Sequence, residues 1–328
     1  MTPDPSLPSL SVVIPCYNVR QFVCGAVQSV LDQADAGVAC VVVDDGSTDG
    51  SGDLVEAQFG SRVTLIRQKN QGVAVARTRG FEATASELVI WLDSDDMLSE
   101  GTLASRRAAF RDDPSLQLLV GQVRVVDVDT GDEYISPARC DADYLARDLV
   151  MRTNLPHSNI LTWRRDAVAA LGLYDPSLHI VDDYDLWLRA WPTLRWRFVK
   201  QIQSMQRNGS FPSLTKSRSK FFHYEQIGLA LTRNRQNLRD ATGSDRAWRL
   251  GYAHYAADLA LMHLREHELP QARHWAMRAV REARTAVQPR VFRYLIEACL
   301  PPALYALGRS AMGRLGVRGQ AGISKGGA

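Results

Sequence analysis

A chain of 328 residues suits one large domain with an appendage, or two modest domains. Its 45% hydrophobic and 23% charged residues are ordinary values for globular proteins and exclude wholesale disorder. The net charge of +3 conceals an asymmetry: residues 1–224 carry 23 Lys and Arg against 28 Asp and Glu, and residues 225–328 carry 16 against 8. The resulting net charges, −5 and +8, predict different roles for the two regions.

Cysteine usage and hydropathy exclude further classes of protein. The five cysteines include no CxxC pair, which argues against a zinc site or a disulfide framework and favours reduced thiols. Residues 1–9 are polar and Pro-rich, unlike a signal peptide. No run of about 18 apolar residues occurs, so we expect no transmembrane helix. Together these features predict a cytoplasmic protein.

The first 92 residues alternate between two kinds of segment. Apolar, β-branched runs typical of buried parallel strands occupy residues 10–14, 39–43, 63–67 and 88–92. Between them, apolar or small residues at helical spacing predict helices over residues 20–32, 50–59 and 72–85. This alternation predicts an α/β fold with a mixed, mostly parallel sheet flanked by helices.

The alternation loosens after residue 100. One or two strands are predicted within residues 116–128, and a helix over 182–191. From residue 225 onward no strand candidate occurs, so we expect an all-α C-terminal region. Residues 246–284 predict a helical hairpin with its turn near 268–270. Its small residues resemble one tetratricopeptide unit, and a helical cap packed on the first domain is the alternative.

Three of the predicted strands end in polar clusters. The clusters are Pro15-Cys16-Tyr17-Asn18, Asp44-Asp45-Gly46-Ser47 and Asp93-Ser94-Asp95-Asp96. Ligands of open α/β sheets bind in the crevice beyond the carboxyl ends of the strands. We therefore expect residues that are distant in sequence to converge on one rim of the sheet.

Asp93 and Asp95 offer two carboxylates on a tight turn after a buried strand. Mg²⁺ and Mn²⁺ prefer oxygen ligands and keep coordination positions for a diphosphate. A metal there would neutralise charge on a departing nucleoside diphosphate. A solvated Asp-rich turn is the alternative, but the two neighbouring polar strand ends favour the metal site.

The segment from Asp44 to Gly50 joins a predicted strand to a predicted helix. It forms a turn in which Thr48 or Asp49 is expected to cap the helix. Two adjacent acids exceed what a cap needs. A carboxylate accepts a hydrogen bond from the imide N–H of a uracil or thymine ring, or from a sugar hydroxyl. Asp44 and Asp45 are therefore candidate donor-binding residues.

A further candidate is the helix that opens with Gln71 and Gly72. Exposed N–H groups at the start of a helix attract phosphate. Arg77 lies on the first turns of this helix, where its guanidinium could clamp a phosphate through two hydrogen bonds. The alternative is an arginine on the solvent face of an amphipathic helix.

These motifs together resemble a known family. The strings VVIPCYN, VVVDDGSTDG, NQGVAVARTRG and VIWLDSDD follow the order and spacing of the family 2 glycosyltransferases, which have the GT-A fold. A fifth string, DDYDLWLRA, is similar to the family's Glu-Asp-x-Asp-Leu-x-x-Arg, so the resemblance covers roughly residues 9–205. It implies an inverting transfer of a sugar from a nucleotide diphosphate donor to an acceptor hydroxyl.

The resemblance also implies roles for single residues. The family's nucleobase-binding acid maps to Asp44 or Asp45, its ribose contact to Asp93, and its ligand for Mg²⁺ or Mn²⁺ to Asp95. The family's catalytic base maps to Asp183, and an inverting enzyme needs such a base opposite the leaving group. Further donor-binding candidates within the matched motifs are Pro15, Tyr17, Asn18, Gly46, Ser47, Gln71, Gly72, Arg77 and Ser94.

The acceptor side carries weaker signals. Asp182 stands where the family usually has Glu, and it could raise the pKa of its neighbour Asp183. The alternative for both acids is to charge a helix N-terminus. His157 could touch substrate near the acceptor, although a single histidine is more often a core or surface residue. Trp187 could stack on a sugar face, although its helical spacing favours core packing.

The predicted organisation has three parts: a GT-A catalytic domain over 1–224, a helical domain over 225–289, and a basic, apolar tail over 290–328. The tail has the composition of an in-plane segment on an anionic membrane, and packing or oligomerisation are its alternatives. We expect UDP- or dTDP-sugar as donor and a cell-surface or lipid-linked glycan as acceptor, at the inner face of the cytoplasmic membrane. The rival interpretation is a catalytically silent binding protein on this fold. No nucleic-acid-binding module is recognisable, so no nucleic acid partner is expected.

Overall fold

A computed structural model describes residues 6–137, 140, 155–210 and 219–283 of the chain. The chain divides into two compact units that meet in sequence between Tyr252 and Ala253. The boundary predicted after residue 224 falls within a helix of the first unit, Lys220–Arg233. The predicted tail over 290–328 lies outside the described residues.

The first part of the chain alternates strands and helices as the sequence predicts. Its elements are β1 (Leu10–Cys16), α1 (Val23–Leu31), β2 (Val38–Asp44), α2 (Ser51–Phe59), β3 (Thr64–Arg67), α3 (Val73–Glu82) and β4 (Leu88–Trp91). A 3₁₀ turn, Gly60–Arg62, precedes β3. Helices α1 and α3 are a few residues shorter at their ends than predicted, and helix ends are where boundaries are least defined.

The later elements mix short strands with helices. They are β5 (Met97–Leu98), α4 (Thr102–Asp112), β6 (Leu118–Asp127), β7 (Glu133–Ser136), β8 (Leu161–Arg164), α5 (Arg165–Ala170), α6 (Asp182–Ala190), β9 (Trp196–Asn208), α7 (Lys220–Arg233), α8 (Arg235–Thr242), α9 (Arg246–Arg265) and α10 (Leu269–Ala283). A 3₁₀ turn, Ser158–Ile160, leads into β8. The sequence analysis predicts no strand at β7, β8 or β9.

The strands form one mixed sheet in the order β3-β2-β1-β4-β8-β6-β9-β5, with β7 paired to β6. The four strands of the predicted alternation pair in parallel. β8 runs antiparallel to β4 and β6, and β9 runs parallel to β6 and antiparallel to β5. The predicted α/β class with flanking helices and a helical C-terminal region is confirmed, and antiparallel pairing enters where the alternation loosens.

The two faces of β1 pack against different helices. Leu10, Val12 and Ile14 join one core cluster with residues of α1, α2 and α4, and all three are fully buried. Val13 lies on the opposite face, beneath α3. A Cβ atom added to Gly80 of α3 would lie 2.2 Å from Cγ1 of Val13, so this helix approaches the sheet closely because residue 80 has no side chain.

The second compact unit contains the end of α9 and all of α10. These helices are joined by residues 266–268, close to the turn that the sequence predicts. Ala256, Ala257 and Ala279 are buried together, and the rings of Tyr255 and Trp275 meet edge to face at 5.7 Å. None of the described helices is both long enough and apolar enough to cross a membrane.

Candidate active site

The loops that follow β1 and β2 are joined by hydrogen bonds. Asn18 has a left-handed φ of 52°, a conformation that asparagine tolerates better than most residues. Its Oδ1 accepts from the backbone N–H of Thr48 at 2.8 Å, and its own N–H donates to Oγ of Ser47 at 3.1 Å. Tyr17, beside it, is 48% exposed, whereas Pro15 is buried in β1. The first two predicted polar clusters therefore do converge on one rim.

Asp44 lies at the end of β2 and is 4% exposed. Its Oδ1 accepts from the backbone N–H of Ser47 at 2.9 Å, which closes the turn. Gly46 has a φ of 77°, and a Cβ there would lie 2.8 Å from the backbone N of Asn70. This glycine therefore lets the loop after β2 approach the loop that leads into α3.

Asp45 holds the loop before α3 in place. Its carboxylate, 3% exposed, accepts from Nε2 of Gln68 at 2.7 Å and from the backbone N–H groups of Gln71 and Gly72, each at 2.9 Å. From the sequence, backbone N–H groups at the start of this helix are predicted to bind a phosphate. In the structure they bind a carboxylate instead, because an acid of the chain itself reaches the start of the helix.

Arg77 is 6% exposed, so the alternative of an arginine on the solvent face of the helix is wrong. Its Nη1 donates to Asp182 at 2.9 Å and its Nη2 donates to Asp93 at 2.9 Å. The ring of Tyr174 lies under the guanidinium, 4.8 Å from it to the ring centroid. Both terminal nitrogens are thus engaged by carboxylates rather than presented to a phosphate, and residues from α3, the turn after β4 and α6 meet at one point.

The turn after β4 carries the predicted metal ligand. Asp95 is half-buried, and burial and then the charge of Asp93 raise its pKa to about 6, against the opposing effect of Arg207. Ser94 is 7% exposed. Within the described residues no group of three or more His, Cys, Asp or Glu is arranged to hold a metal ion.

Asp96, which the sequence leaves without a role, is 2% exposed and supports this turn. Its carboxylate accepts from Nδ2 of Asn159 at 2.8 Å and from the backbone N–H of Arg207 at 3.0 Å. Burial, then the charges of Asp95 and Asp93, raise the pKa of Asp96 well above its ordinary value. Asp96 is thus an acid that supports the turn after β4 through its hydrogen bonds.

Two arginines complete the support: Arg106, which is fully buried, and Arg207, which is half-buried. Both terminal nitrogens of Arg106 donate to the backbone oxygen of Asn159 at 3.1 Å, and Nη2 also donates to the backbone oxygen of Gln203 at 3.0 Å. Arg207 of β9 donates to the backbone oxygen of Asp95 at 2.7 Å. The sequence alone does not identify Arg106, Asn159 and Arg207 as supporting residues, because their partners lie between 53 and 112 positions away in the chain.

The start of α6 carries the predicted base. Asp182 is 3% exposed and paired with Arg77, and burial raises its pKa although Arg77 opposes the shift. Burial and then the charge of Asp182 raise the pKa of Asp183 to about 7. Oδ1 of Asp183 accepts from the backbone N–H of Tyr184 at 2.6 Å. The positive end of a helix favours carboxylates, yet burial among acids prevails here.

The rest of this motif is structural. Nη2 of Arg189 pairs with Asp185 at 2.8 Å and donates to the backbone oxygen of Leu173 at 2.7 Å. Nδ2 of Asn234 donates to the other oxygen of Asp185 at 2.7 Å. The Asp-Leu-x-x-Arg part of the motif therefore ties α6 to the segment before it and to Asn234 at the junction of α7 and α8.

The two remaining acceptor-side candidates differ. Burial lowers the pKa of His157 to about 4 against the opposing charge of Asp93, so this half-buried imidazole is neutral at pH 7. Trp187 is 3% exposed, which leaves little of its ring for a sugar. The structure favours the core-packing alternative for Trp187.

The fold and the site define a class of protein. Three parallel strands end in acidic or polar loops at one rim, an antiparallel continuation adds a helix with two acids at its start, and one guanidinium joins the two parts. This is the organisation of the GT-A glycosyltransferases, which transfer sugars from nucleotide donors.

The family comparison agrees with that class. The profile of the family "Glycosyl transferase family 2" matches residues 11–163. Residues 11–163 of the chain thus match the family 2 glycosyltransferases, which agrees with the resemblance found in the sequence.

Curated relatives of this chain are named as glycosyltransferases. An uncharacterized glycosyltransferase of Nostoc sp. is 29% identical over 210 residues, which cover 61% of this chain and 62% of that relative. TuaG of Bacillus subtilis, named as a teichuronic acid biosynthesis glycosyltransferase, is 38% identical over 92 residues, covering 27% of this chain and 36% of that relative. The matched segments thus span less than two thirds of either relative's length.

Solved structures share the fold. A fragment of S. aureus TarS in complex with UDP-GlcNAc superposes with a TM-score of 0.61 at 16% identity, covering 92% of both chains. The mannosyltransferase PcManGT of Pyrobaculum calidifontis, in complex with GDP-Man and Mn²⁺, gives a TM-score of 0.52 at 16% identity, covering 94% of this chain and 87% of that one. These likenesses establish the GT-A fold.

Proposed function

We propose that the chain is an inverting glycosyltransferase that moves one sugar from a UDP- or dTDP-sugar to a hydroxyl group of a cell-surface or lipid-linked glycan. The observation that carries this proposal is the pair of 2.9 Å contacts through which Arg77 joins Asp93 to Asp182. Because Asp183 follows Asp182 directly, the proposed donor-binding acid and the proposed base belong to one site.

The donor would lie along the rim formed by the loops after β1, β2 and β4. The exposed ring of Tyr17 offers a flat apolar face to a nucleobase. The Asp93 side chain is 36% exposed and can accept hydrogen bonds from ribose hydroxyls while it pairs with Arg77. The UDP-GlcNAc complex of TarS supports a UDP-sugar as donor, and the name of TuaG supports an envelope polysaccharide as the product.

Asp95 fits Mg²⁺ or Mn²⁺ in this scheme. Burial and the charge of Asp93 both disfavour an ionised Asp95, so a cation at its carboxylate would relieve an existing electrostatic cost. Mg²⁺ sites commonly combine one or two carboxylates with substrate phosphates. When bound, the metal would neutralise charge on the departing nucleoside diphosphate. The Mn²⁺ in the PcManGT complex supports this assignment.

Asp183 would serve as the general base. A base works best when its pKa is near the working pH, and the pKa of Asp183 is raised to about 7. The carboxylate would take the proton of the acceptor hydroxyl while the acceptor oxygen forms a bond to the anomeric carbon. The bond from that carbon to the diphosphate breaks on the opposite side, so the configuration inverts.

The test is a panel of UDP-, dTDP- and GDP-sugars, assayed for hydrolysis and for binding with Mn²⁺. The variants are Asp183→Asn and Asp95→Asn, with Asp112→Asn as the matched control because its side chain is 61% exposed at the end of α4. We expect Asp183→Asn to bind donor and to lose about 10²- to 10⁴-fold in turnover. Asp112→Asn should match the wild type.

Three outcomes decide the proposal. Hydrolysis of a UDP- or dTDP-sugar that needs Mn²⁺ or Mg²⁺ would support it. Donor binding without turnover under any condition would favour the catalytically silent binding protein. Near-normal turnover of Asp183→Asn would place the base on another residue.

We also propose that residues 290–328 bind an anionic membrane surface. The support is their composition, apolar with flanking arginines. Full-length protein should cosediment with phosphatidylglycerol liposomes, and protein lacking residues 290–328 should not. Full-length protein that stays in the supernatant would contradict the proposal.

A further inference from the structure

We propose that Arg77 is a positioning residue that fixes the turn carrying Asp93 against the start of α6, so that donor site and base form one unit. The inference rests on the proposed function and gives Arg77 a role other than the phosphate clamp predicted from the sequence. The support for this role is geometric, because α3, the turn after β4 and α6 meet at the Arg77 side chain.

The contacts of Arg77 fix an angle as well as a distance. Nη1 lies 2.9 Å from Oδ2 of Asp182, and Nη2 lies 2.9 Å from Oδ1 of Asp93. A planar guanidinium with two engaged nitrogens sets the direction of both acids, which a lysine ammonium cannot do. Below, the Tyr174 ring lies 4.8 Å from the guanidinium and edge-on to Trp91 at 4.9 Å, so the fork itself is held by packing.

The acids around Arg77 outnumber its charge. Asp93, Asp182 and Asp183 approach it from two elements, and each carboxylate raises the proton affinity of its neighbours. An unpaired buried charge is strongly unfavourable, and removing one partner of a buried pair is more costly than removing both. Without Arg77 we therefore expect the turn and the helix start to separate, or the acids to take up protons.

The base is surrounded by a small set of groups. Asp182 lies beside Asp183 on α6, Arg77 faces it from α3, Asp93 faces it from the turn after β4, and the phenol of Tyr174 faces it from the segment before α6. His157, from the segment before β8, faces Asp93. Arg77 is the cation of this set.

Removing the charge of Arg77 should shift the pKa of Asp183 in a predictable direction. An opposite charge at close range favours the ionised carboxylate, so its loss raises the pKa of Asp183 further above about 7. The base is active when ionised, so the acidic limb of the kcat profile should move to higher pH by about one unit or more. A residue with only a structural role would lower turnover at every pH without moving that limb.

The experiment compares Arg77→Met, Arg77→Lys and Arg165→Met. Arg165 is the matched control, since it binds the carbonyl of Phe81 at 2.8 Å near the other end of α3 and stacks on that ring, away from the acids. We expect a shifted limb in Arg77→Met. Arg77→Lys should keep the acidic limb of the kcat profile at its wild-type pH, because the positive charge is kept. Its turnover should be about 10- to 100-fold lower, because the planar guanidinium that orients both acids is lost. Arg165→Met should keep both.

A measurement without turnover separates this inference from the proposed function. The titration of Asp183 can be followed by ¹³C NMR of its carboxyl carbon, assigned through Asp183→Asn. An upward shift in Arg77→Met supports the role even if no donor is turned over. An unshifted titration with an unshifted kcat limb overturns it. If Arg77→Met does not fold, the turnover of Arg77→Lys still tests the inference. Full turnover of this variant would show that the planar guanidinium is not needed, and it would also overturn the inference.

Discussion

Replacing Asn159 by leucine removes a buried amide of nearly the same size from beneath the proposed metal turn. Asn159 is fully buried, and its Nδ2 lies 2.8 Å from the carboxylate of Asp96, which is 2% exposed. After the change, Asp96 keeps the backbone N–H of Arg207 as a donor. A buried acceptor that loses one donor costs about 1–3 kcal/mol, so we expect Asn159→Leu to lower the free energy of unfolding by that amount.

The structural loss should be accompanied by a functional one. Partners behind a metal ligand typically change metal affinity by about 10- to 100-fold when removed. Asp95 neighbours Asp96, so the Mn²⁺ concentration that half-saturates UDP binding should rise at least about tenfold in Asn159→Leu. Urea denaturation followed by circular dichroism gives the stability, and isothermal titration at a series of Mn²⁺ concentrations gives the metal requirement.

The chain offers a matched control in Asn234→Leu. Asn234 is 1% exposed, and its Nδ2 donates to the buried Asp185 at 2.7 Å, with no part in the metal turn. It should lose a similar amount of stability while the Mn²⁺ requirement stays at the wild-type value. Equal Mn²⁺ requirements in Asn159→Leu and wild type would refute the reasoning, because the turn would then not depend on this amide.

Three further predictions concern separate parts of the molecule. The kcat of the wild type should rise with pH through about 7, since burial raises the pKa of Asp183 to about 7 and this proposed base would act as a carboxylate; a profile that is flat below that value would contradict the assignment. Gly80→Ala should lower the free energy of unfolding by about 1–3 kcal/mol, because the added Cβ would lie 2.2 Å from Cγ1 of Val13. If this variant has the same urea midpoint as the wild type, α3 can shift to make room for the methyl group. The Cys40 thiol, whose pKa burial raises to about 12, should resist iodoacetamide at about pH 8 until the protein unfolds, as mass spectrometry of labelled samples would show.

The parallel half of the sheet could be predicted because burial on both faces leaves continuous apolar runs. β1 is buried along all seven residues, and the sequence LSVVIPC shows it directly. β9 escaped prediction because its thirteen residues, WRFVKQIQSMQRN, are mostly half-exposed and many are polar. A strand of this kind is formed by its pairing with β6 and β5, and local sequence does not carry that information.

Residue types in the site were more predictable than contacts. The sequence placed Arg77 on the first turns of a helix, but whether its guanidinium faces solvent, phosphate or protein depends on Asp93 and Asp182, which lie 16 and 105 positions away. The same holds for Asp45, whose partners Gln71 and Gly72 lie 26 and 27 positions ahead. Which of two adjacent acids in a motif holds a loop in place is thus decided by the tertiary structure, as the contacts of Asp45 show.

The cluster of acids around Arg77 (Asp93, Asp182 and Asp183) is not explained by stability. Buried ion pairs contribute little net stability, since desolvation offsets most of their attraction, and apolar replacements are often as stable. Here two carboxylates share one guanidinium that is 6% exposed, and a third acid with a raised pKa lies beside them. A fold selected for stability alone gains nothing from that excess of negative charge. An enzyme that needs one acid for the donor and a nearby general base for the acceptor would gain from it, because burial and the excess charge together raise the pKa of Asp183, the proposed base, towards the working pH.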